Sequence, residues 1–363
     1  MNKSMSPKTT LCGLLLLLNI VPLIIGAQTN QPAAPEFNAL DLFIADKAQK
    51  NEFSGAVIIA KNGKVLFEKA YGYADKNFNI PNRIDTKFNI GSLNKLFTTV
   101  AAAQLIQQGK LNPDDTIGKY LEGFSKDAAE KVTIRHLVQM KSGWGDYWQN
   151  ESYLQNYPRM RKVSDYLEFI KKMPLEFEPG TKMVHSNTGF VVLGAIIEKI
   201  TGMDYFDYIR ENIYKPAGMA DSDSYDRDSN IINIATGYTN FHPADPEHKG
   251  FKWSDRCILR PKGMPDGGGY ATAPDLLKYD TAFRANKLLD EKHTRFAENR
   301  FEGEIGQPLT MQDKMHISMG GSMGVSAVFG RDLQDGYTII ILSNYDIQRE
   351  NEVFKEIRKM IGK

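Results

Sequence analysis

The segment Gly91-Ser92-Leu93-Asn94-Lys95 sets a hydroxyl and an amine three residues apart. In a helix that spacing puts both side chains on one face, a turn apart, so the amine reaches the serine oxygen. At a helix start, unpaired backbone N–H groups and the positive end of the dipole favour negative charge developing on the serine. A desolvated amine has a lowered pKa and can take the serine proton, which turns the hydroxyl into a nucleophile. No other serine in the chain has a lysine three residues on. The plain alternative is a helix-capping Ser92 beside a solvated Lys95.

Two other groupings suggest chemistry and fail on their surroundings. Gly320-Gly321-Ser322-Met323-Gly324 has the spacing of a nucleophile elbow, but that site requires an acid and then a histidine further along, and no histidine follows Ser322. His242, Asp245, Glu247 and His248 share a loop with Pro243 and Pro246, at spacings that match no helical zinc motif. No metal is expected there, and no cofactor elsewhere. Trp144, Asp146 and Tyr147 follow the loop signal Ser142-Gly143, either as lining of a cleft or as anchors of the loop.

The elements that must position Ser92 and Lys95 follow from periodicity. Leu40, Phe43, Ile44 and Ala48 fall at helical spacing. Residues 54–61 and 64–73 are β-rich runs separated by Asn62-Gly63, a strong hairpin signal. From Leu93 to Leu111 the pattern is helical, with Leu93, Phe97, Val100 and Ala101 near one face and Leu105 at its margin. Residues 112 to about 240 are mostly helical in pattern, as expected of a lobe inserted into a sheet domain. Residues 325–329 and 337–342 again read as strands joined through Asp335-Gly336, before a helical pattern over 352–361. Strands at both ends predict an α+β fold: an antiparallel sheet flanked by helices, with an inserted, mostly helical lobe.

Composition narrows the setting. Lys3 and Lys8 precede an apolar run from Leu11 to Ile25, no acid occurs before Glu36, and Gly26-Ala27 offers a cut site. Residues 1–27 therefore read as a signal peptide, residues 28–363 as the catalytic domain, and the location as periplasmic or secreted. Contact with a membrane is expected only if the leader is retained, and its run is short for a span. With 45 basic and 44 acidic residues the chain carries no basic footprint for nucleic acid. Cys257 is the only cysteine beyond the leader, so no internal disulfide is expected.

Several segments resemble the family of serine beta-lactamases and penicillin-binding proteins, class C enzymes and their relatives in particular. Phe53-Ser54-Gly55 through Tyr71-Gly72-Tyr73-Ala74 resembles its opening hairpin, and Phe88-Asn89-Ile90-Gly91-Ser92 its approach to the nucleophile. Gln108-Gly109-Lys110-Leu111 resembles the end of the next helix. Pro179-Gly180, Ser186-Asn187-Thr188-Gly189-Phe190 and Leu193-Gly194 form the most specific match; Gly267-Gly268-Gly269 and Leu342-Ser343-Asn344 are similar to later segments. The resemblance implies Ser92 as nucleophile and Lys95 as its proton acceptor.

The resemblance also marks departures. His185-Ser186-Asn187 stands where relatives carry Tyr-x-Asn, so His185 either shuttles protons as a neutral imidazole or only fills the position. Ser318-Met319-Gly320-Gly321 stands where Lys or His, a residue and Gly are usual, and Met140 stands at a histidine position in the segment from Leu137 to Gly143. The N–H groups of Gly321 and Ser92 would form an oxyanion hole. Ser318 donates only a neutral hydrogen bond, so neutral acyl substrates are expected to be preferred over carboxylates unless a register shift brings in His316. The implied activity is a serine acyl-hydrolase acting on an ester, amide or peptide, with a small molecule or peptide as its partner: an esterase, a D-amino-acid peptidase or a beta-lactamase-like enzyme. The alternative is a catalytically weakened binding module of the same fold.

Overall fold

The computed structural model describes residues 35–239, 252–253, 260–307, 315–346 and 350–362. The expected leader over residues 1–27 and the group of His242, Asp245, Glu247 and His248 lie outside the described residues.

Asn62 and Gly63 both take left-handed backbone angles, φ 50° and 77°. Their two-residue turn joins β1 (Gly55–Lys61) to β2 (Lys64–Tyr71), as a hairpin whose turn must match the twist of its strands requires. The C-terminal part supplies β3 (Met315–Ser322), β4 (Val325–Asp332) and β5 (Tyr337–Ser343). The five strands form one antiparallel sheet in the order β2-β1-β5-β4-β3. Its centre joins the two ends of the chain, with Ala56 opposite Leu342 and Ile58 opposite Ile340.

Both faces of this sheet are covered, which is why β1 and β5 read as continuous apolar runs rather than alternating ones. Val57, Ile59, Val328, Ile339 and Ile341 pack on α1 (Asn38–Gln49) and on the C-terminal helix (Glu350–Met360) through Leu40, Ile44, Val353 and Ile357. Their neighbours along the strands point the other way, as the period of two dictates. Ala56, Ile58, Ala327, Phe329, Ile340 and Leu342 join the larger core on that side.

α2 (Asn94–Gln107) runs through that larger core and is buried nearly all round, not along the single stripe that its apolar spacing predicts. Its polar residues are accommodated by local bonds: Thr99 Oγ1 donates to the Lys95 carbonyl at 2.8 Å, and Gln104 Nε2 to the Leu288 and Asn212 carbonyls at 3.0 Å. α3 (Thr188–Thr201) packs against α2, as does the shorter helix Tyr205–Ile209, while Ile134–Val138 packs against α3; both short helices come from the segment expected to form the lobe. α4 (Ala273–Arg284) links α2 to the sheet: the Tyr279 ring lies 5.0 Å from Phe97 and 6.2 Å from Phe329.

Candidate active site

Ser92 lies in a short 3-10 turn, Gly91–Leu93, that leads directly into α2, and Lys95 sits one turn further on. Lys95 Nζ is 3.1 Å from Ser92 Oγ, 2.6 Å from Asn187 Oδ1 and 2.5 Å from the Asp266 carbonyl. Asn187 precedes α3, and its Nδ2 donates to Asp146 Oδ2 at 2.7 Å, which fixes its oxygen toward the lysine. Burial pushes the Lys95 ammonium down to about 8. Asp266 and Asp146 pull it up, while Arg260 and Arg300 push it further down.

The three contacts satisfy the three N–H donors of the ammonium, and above about 8 the amine gives one of them up. A neutral amine has two N–H donors and one lone pair. Asn187 Oδ1 and the Asp266 carbonyl are acceptors only, so they take both donors. The lone pair is left for the Ser92 hydroxyl, which can then donate to nitrogen.

Asp266 is itself held by a buried charged group. Arg260 Nη1 donates to Asp266 Oδ1 at 2.7 Å and to the Tyr147 hydroxyl oxygen at 2.6 Å, and Nη2 donates to the Gly267 carbonyl at 2.6 Å. The Tyr147 hydroxyl donates to Asp266 Oδ2 at 3.0 Å. Arg260 thus ties down both the side chain of Asp266 and the carbonyl of the next residue, Gly267. Trp144 and Tyr147 are fully buried, so both anchor this region, whereas Asp146 reaches the cleft.

The glycine segment 267–269 and the edge of β3 close on the serine turn from two sides. The Ile90 N–H donates to the Gly269 carbonyl at 2.9 Å, and the Gly268 N–H to the Gly91 carbonyl at 3.1 Å. A Cβ at Gly269 would lie 2.5 Å from Asn94 Oδ1, and one at Gly320 would lie 2.1 Å from the Ile90 carbonyl oxygen. β3 is an edge strand, so one row of its backbone groups is not used by the sheet, and at Gly320–Gly321 that edge lies against Gly91 and Ser92.

Ser92 and His185 line both of two cavities. The smaller, about 320 Å³, includes Asp146, Asn187, Asp266 and Gly321; the larger, about 600 Å³, includes Lys95, Met140, Phe190, Arg300 and Ser318. His185 stands exposed on the cleft wall with no hydrogen bond among the described residues. Partial desolvation of its ring against the cleft wall, and the charge of Lys95, push the imidazole below its ordinary value. Ser318 faces the larger cavity from β3, opposite Phe329 of β4. His316 does not take over from Ser318, because its buried Nδ1 pairs with Glu298, which also binds Arg331 at 2.8 Å. Burial works to raise the Glu298 carboxyl, but Arg331 and His316 hold it below the usual carboxylate range.

The sequence did not single out Arg260, Asp266 or Arg300. Asp266 adjoins the Gly267-Gly268-Gly269 segment and was within reach of a motif reading. The two arginines carry no local signal.

Fold and site together define a serine hydrolase. A family model described as Beta-lactamase matches residues 40–359, and the chain belongs to that family. It is 28% identical over 335 residues to penicillin-binding protein 4* of Bacillus subtilis, which covers 84% of this chain and 71% of that protein. It is 24% identical over 328 residues to the teichoic acid D-alanine hydrolase of Staphylococcus aureus, covering 88% of this chain and 76% of that one. Among solved structures, a penicillin-binding protein from Bacillus halodurans aligns with a TM-score of 0.76 at 26% identity, over 89% of this chain and 99% of that chain.

Proposed function

We propose that the protein hydrolyses esters, amides or peptides through an acyl-enzyme on Ser92. The observation that carries this reading is the buried Lys95 Nζ, 3.1 Å from Ser92 Oγ and held by two acceptors, Asn187 Oδ1 and the Asp266 carbonyl, so that once deprotonated it keeps two N–H donors for them and a lone pair for Ser92. Ser92 Oγ attacks the acyl carbon as Lys95 takes its proton, and the same proton then passes to the departing alkoxide or amine. The N–H groups of Ser92 and Gly321 receive the negative oxygen. Water then cleaves the acyl-enzyme, with His185, kept neutral by its lowered pKa, as proton relay on the open side of the site. The apolar run and small residues at positions 11–27 support export to the periplasm or the outside, and residues 28–363 act as the catalytic domain. Among the described residues no helix is long and apolar enough to cross a membrane.

The test is labelling with a fluorophosphonate followed by peptide mass spectrometry. An adduct on Ser92 is expected, absent from Ser92→Ala together with nitrophenyl ester turnover. Lys95→Ala is expected to acylate about a hundredfold more slowly, the usual scale for loss of a general base. Full turnover by Ser92→Ala would remove this mechanism, and a chain that neither labels nor turns over would be a binding module.

A further inference from the structure

We propose that Arg300 is the cation that receives a substrate carboxylate, from a place in the sequence unrelated to Ser318. This rests on the acyl-enzyme reading of Ser92 and reverses the preference for neutral substrates that Ser318 alone implies.

Arg300 lines the larger cavity together with Ser92, Lys95, His185 and Ser318. Its charge is near enough to help lower the pKa of Lys95. Among the described residues its guanidinium has neither a hydrogen bond nor an ion pair. The other cations beside it are engaged: Lys95 by Asn187 and the Asp266 carbonyl, Arg331 and His316 by Glu298. Glu298 exerts its charge on Arg300 but spends its hydrogen bonds on Arg331 and His316, and Glu302 and Lys141 line the same cavity.

The backbone holds Arg300 in place. It follows α5 (Glu291–Glu298) and has φ 50°, and the next residue, Phe301, has φ 59°. Two successive non-glycine residues in the left-handed region are unfavourable and persist only where the surroundings enforce them. Here they do. Phe301 is fully buried and stacks on Phe296 at 4.7 Å, its N–H donates to the Phe296 carbonyl at 2.9 Å, and its carbonyl accepts from Arg135 and from Gln139 Nε2. With Phe301 locked inward, the preceding side chain is turned to the cavity. Arg300 is open to the cavity, and the one acidic charge acting on it, Glu298, is already bonded to Arg331 and His316, so its planar fork is left to match a carboxylate.

The experiment compares kcat/KM for three esters: 4-nitrophenyl butyrate, mono-4-nitrophenyl glutarate and 3-carboxyphenyl butyrate. They carry no carboxylate, one on the acyl side and one on the leaving side. Ratios of anionic to neutral ester cancel any change in the pKa of Lys95. Arg300→Met is expected to lower one of the two ratios by about five- to thirtyfold, the gap between charged and neutral hydrogen bonds. Arg300→Lys should recover part of it, and added salt should depress the same ratio in the natural enzyme. Which ester responds tells which half of the substrate faces Arg300. Unchanged ratios in Arg300→Met overturn the proposal, as does a loss seen in Lys141→Met instead. If Arg300→Met fails to fold, the Arg300→Lys ratio and the salt dependence decide in the same sense. Absence of all turnover and of a Ser92 adduct in the natural enzyme would defeat the acyl-enzyme reading itself.

Discussion

Lys95 shows how far a residue's chemistry depends on what is packed around it. Its amine is proton-free only above about 8, so kcat/KM for a neutral ester should rise with pH and level off above that value. The imidazole of His185 is held below its ordinary range, so it becomes charged only at lower pH. If both groups must be proton-free, the slope of log kcat/KM against pH steepens from about one to about two once the imidazole also protonates. His185→Gln is expected to be slower but to keep a slope of about one throughout. A steepening that survives in His185→Gln would assign the second proton to another group. Ser92 and Lys95 were legible because three residues in one helix make a pair without help from the fold. His185 was legible only as a position, since its value as a relay depends on partial desolvation at the cleft wall and on the Lys95 charge.

At the scale of elements, the segment from Arg260 to Gly269 and the edge of β3 fix the site from outside α2. Arg260 is the keystone of the first: it binds Asp266, Tyr147 and the Gly267 carbonyl in a buried cluster. Arg260→Met leaves the Asp266 carboxylate buried without its partner and should cost about 3–5 kcal/mol of stability, measured by chemical denaturation. It should also raise the pKa of Lys95, because a positive neighbour is lost and Asp266 is no longer offset, so the activity limb moves to higher pH. An unshifted limb would mean that Arg260 supports the loop without acting on the lysine. Gly269→Ala tests the packing itself. Its added methyl meets the Asn94 side chain, and the displaced segment should lower kcat while the chain still folds. The motif Gly267-Gly268-Gly269 was visible in the sequence; that it must approach Asn94 and Gly91 within van der Waals contact was not.

For the whole molecule, the sheet is the frame, and it exists only when both ends of the chain are present. Ile341 of β5 pairs with Val57 of β1 and faces α1 and the C-terminal helix, away from Ser92. Ile341→Ala should therefore destabilise by about 2–5 kcal/mol, as a lowered melting temperature, with kcat/KM of the folded enzyme unchanged. A loss of activity larger than the loss of folded protein would show that the outer core also tunes the site. By itself the sequence determined the features that need only neighbours along the chain. These are the Asn62-Gly63 turn with its hairpin, the helix start that sets Ser92 one turn before Lys95, and the apolar runs that become a two-faced sheet. Tertiary structure decided the rest, because the partners come from distant segments: Asn187 and the Asp266 carbonyl around Lys95, Arg260 behind Asp266, and Arg300 facing the cavity. A local pattern can set which face a side chain occupies, but its pKa follows from burial and from neighbouring charges, and only a fold brings together charges that lie far apart in sequence.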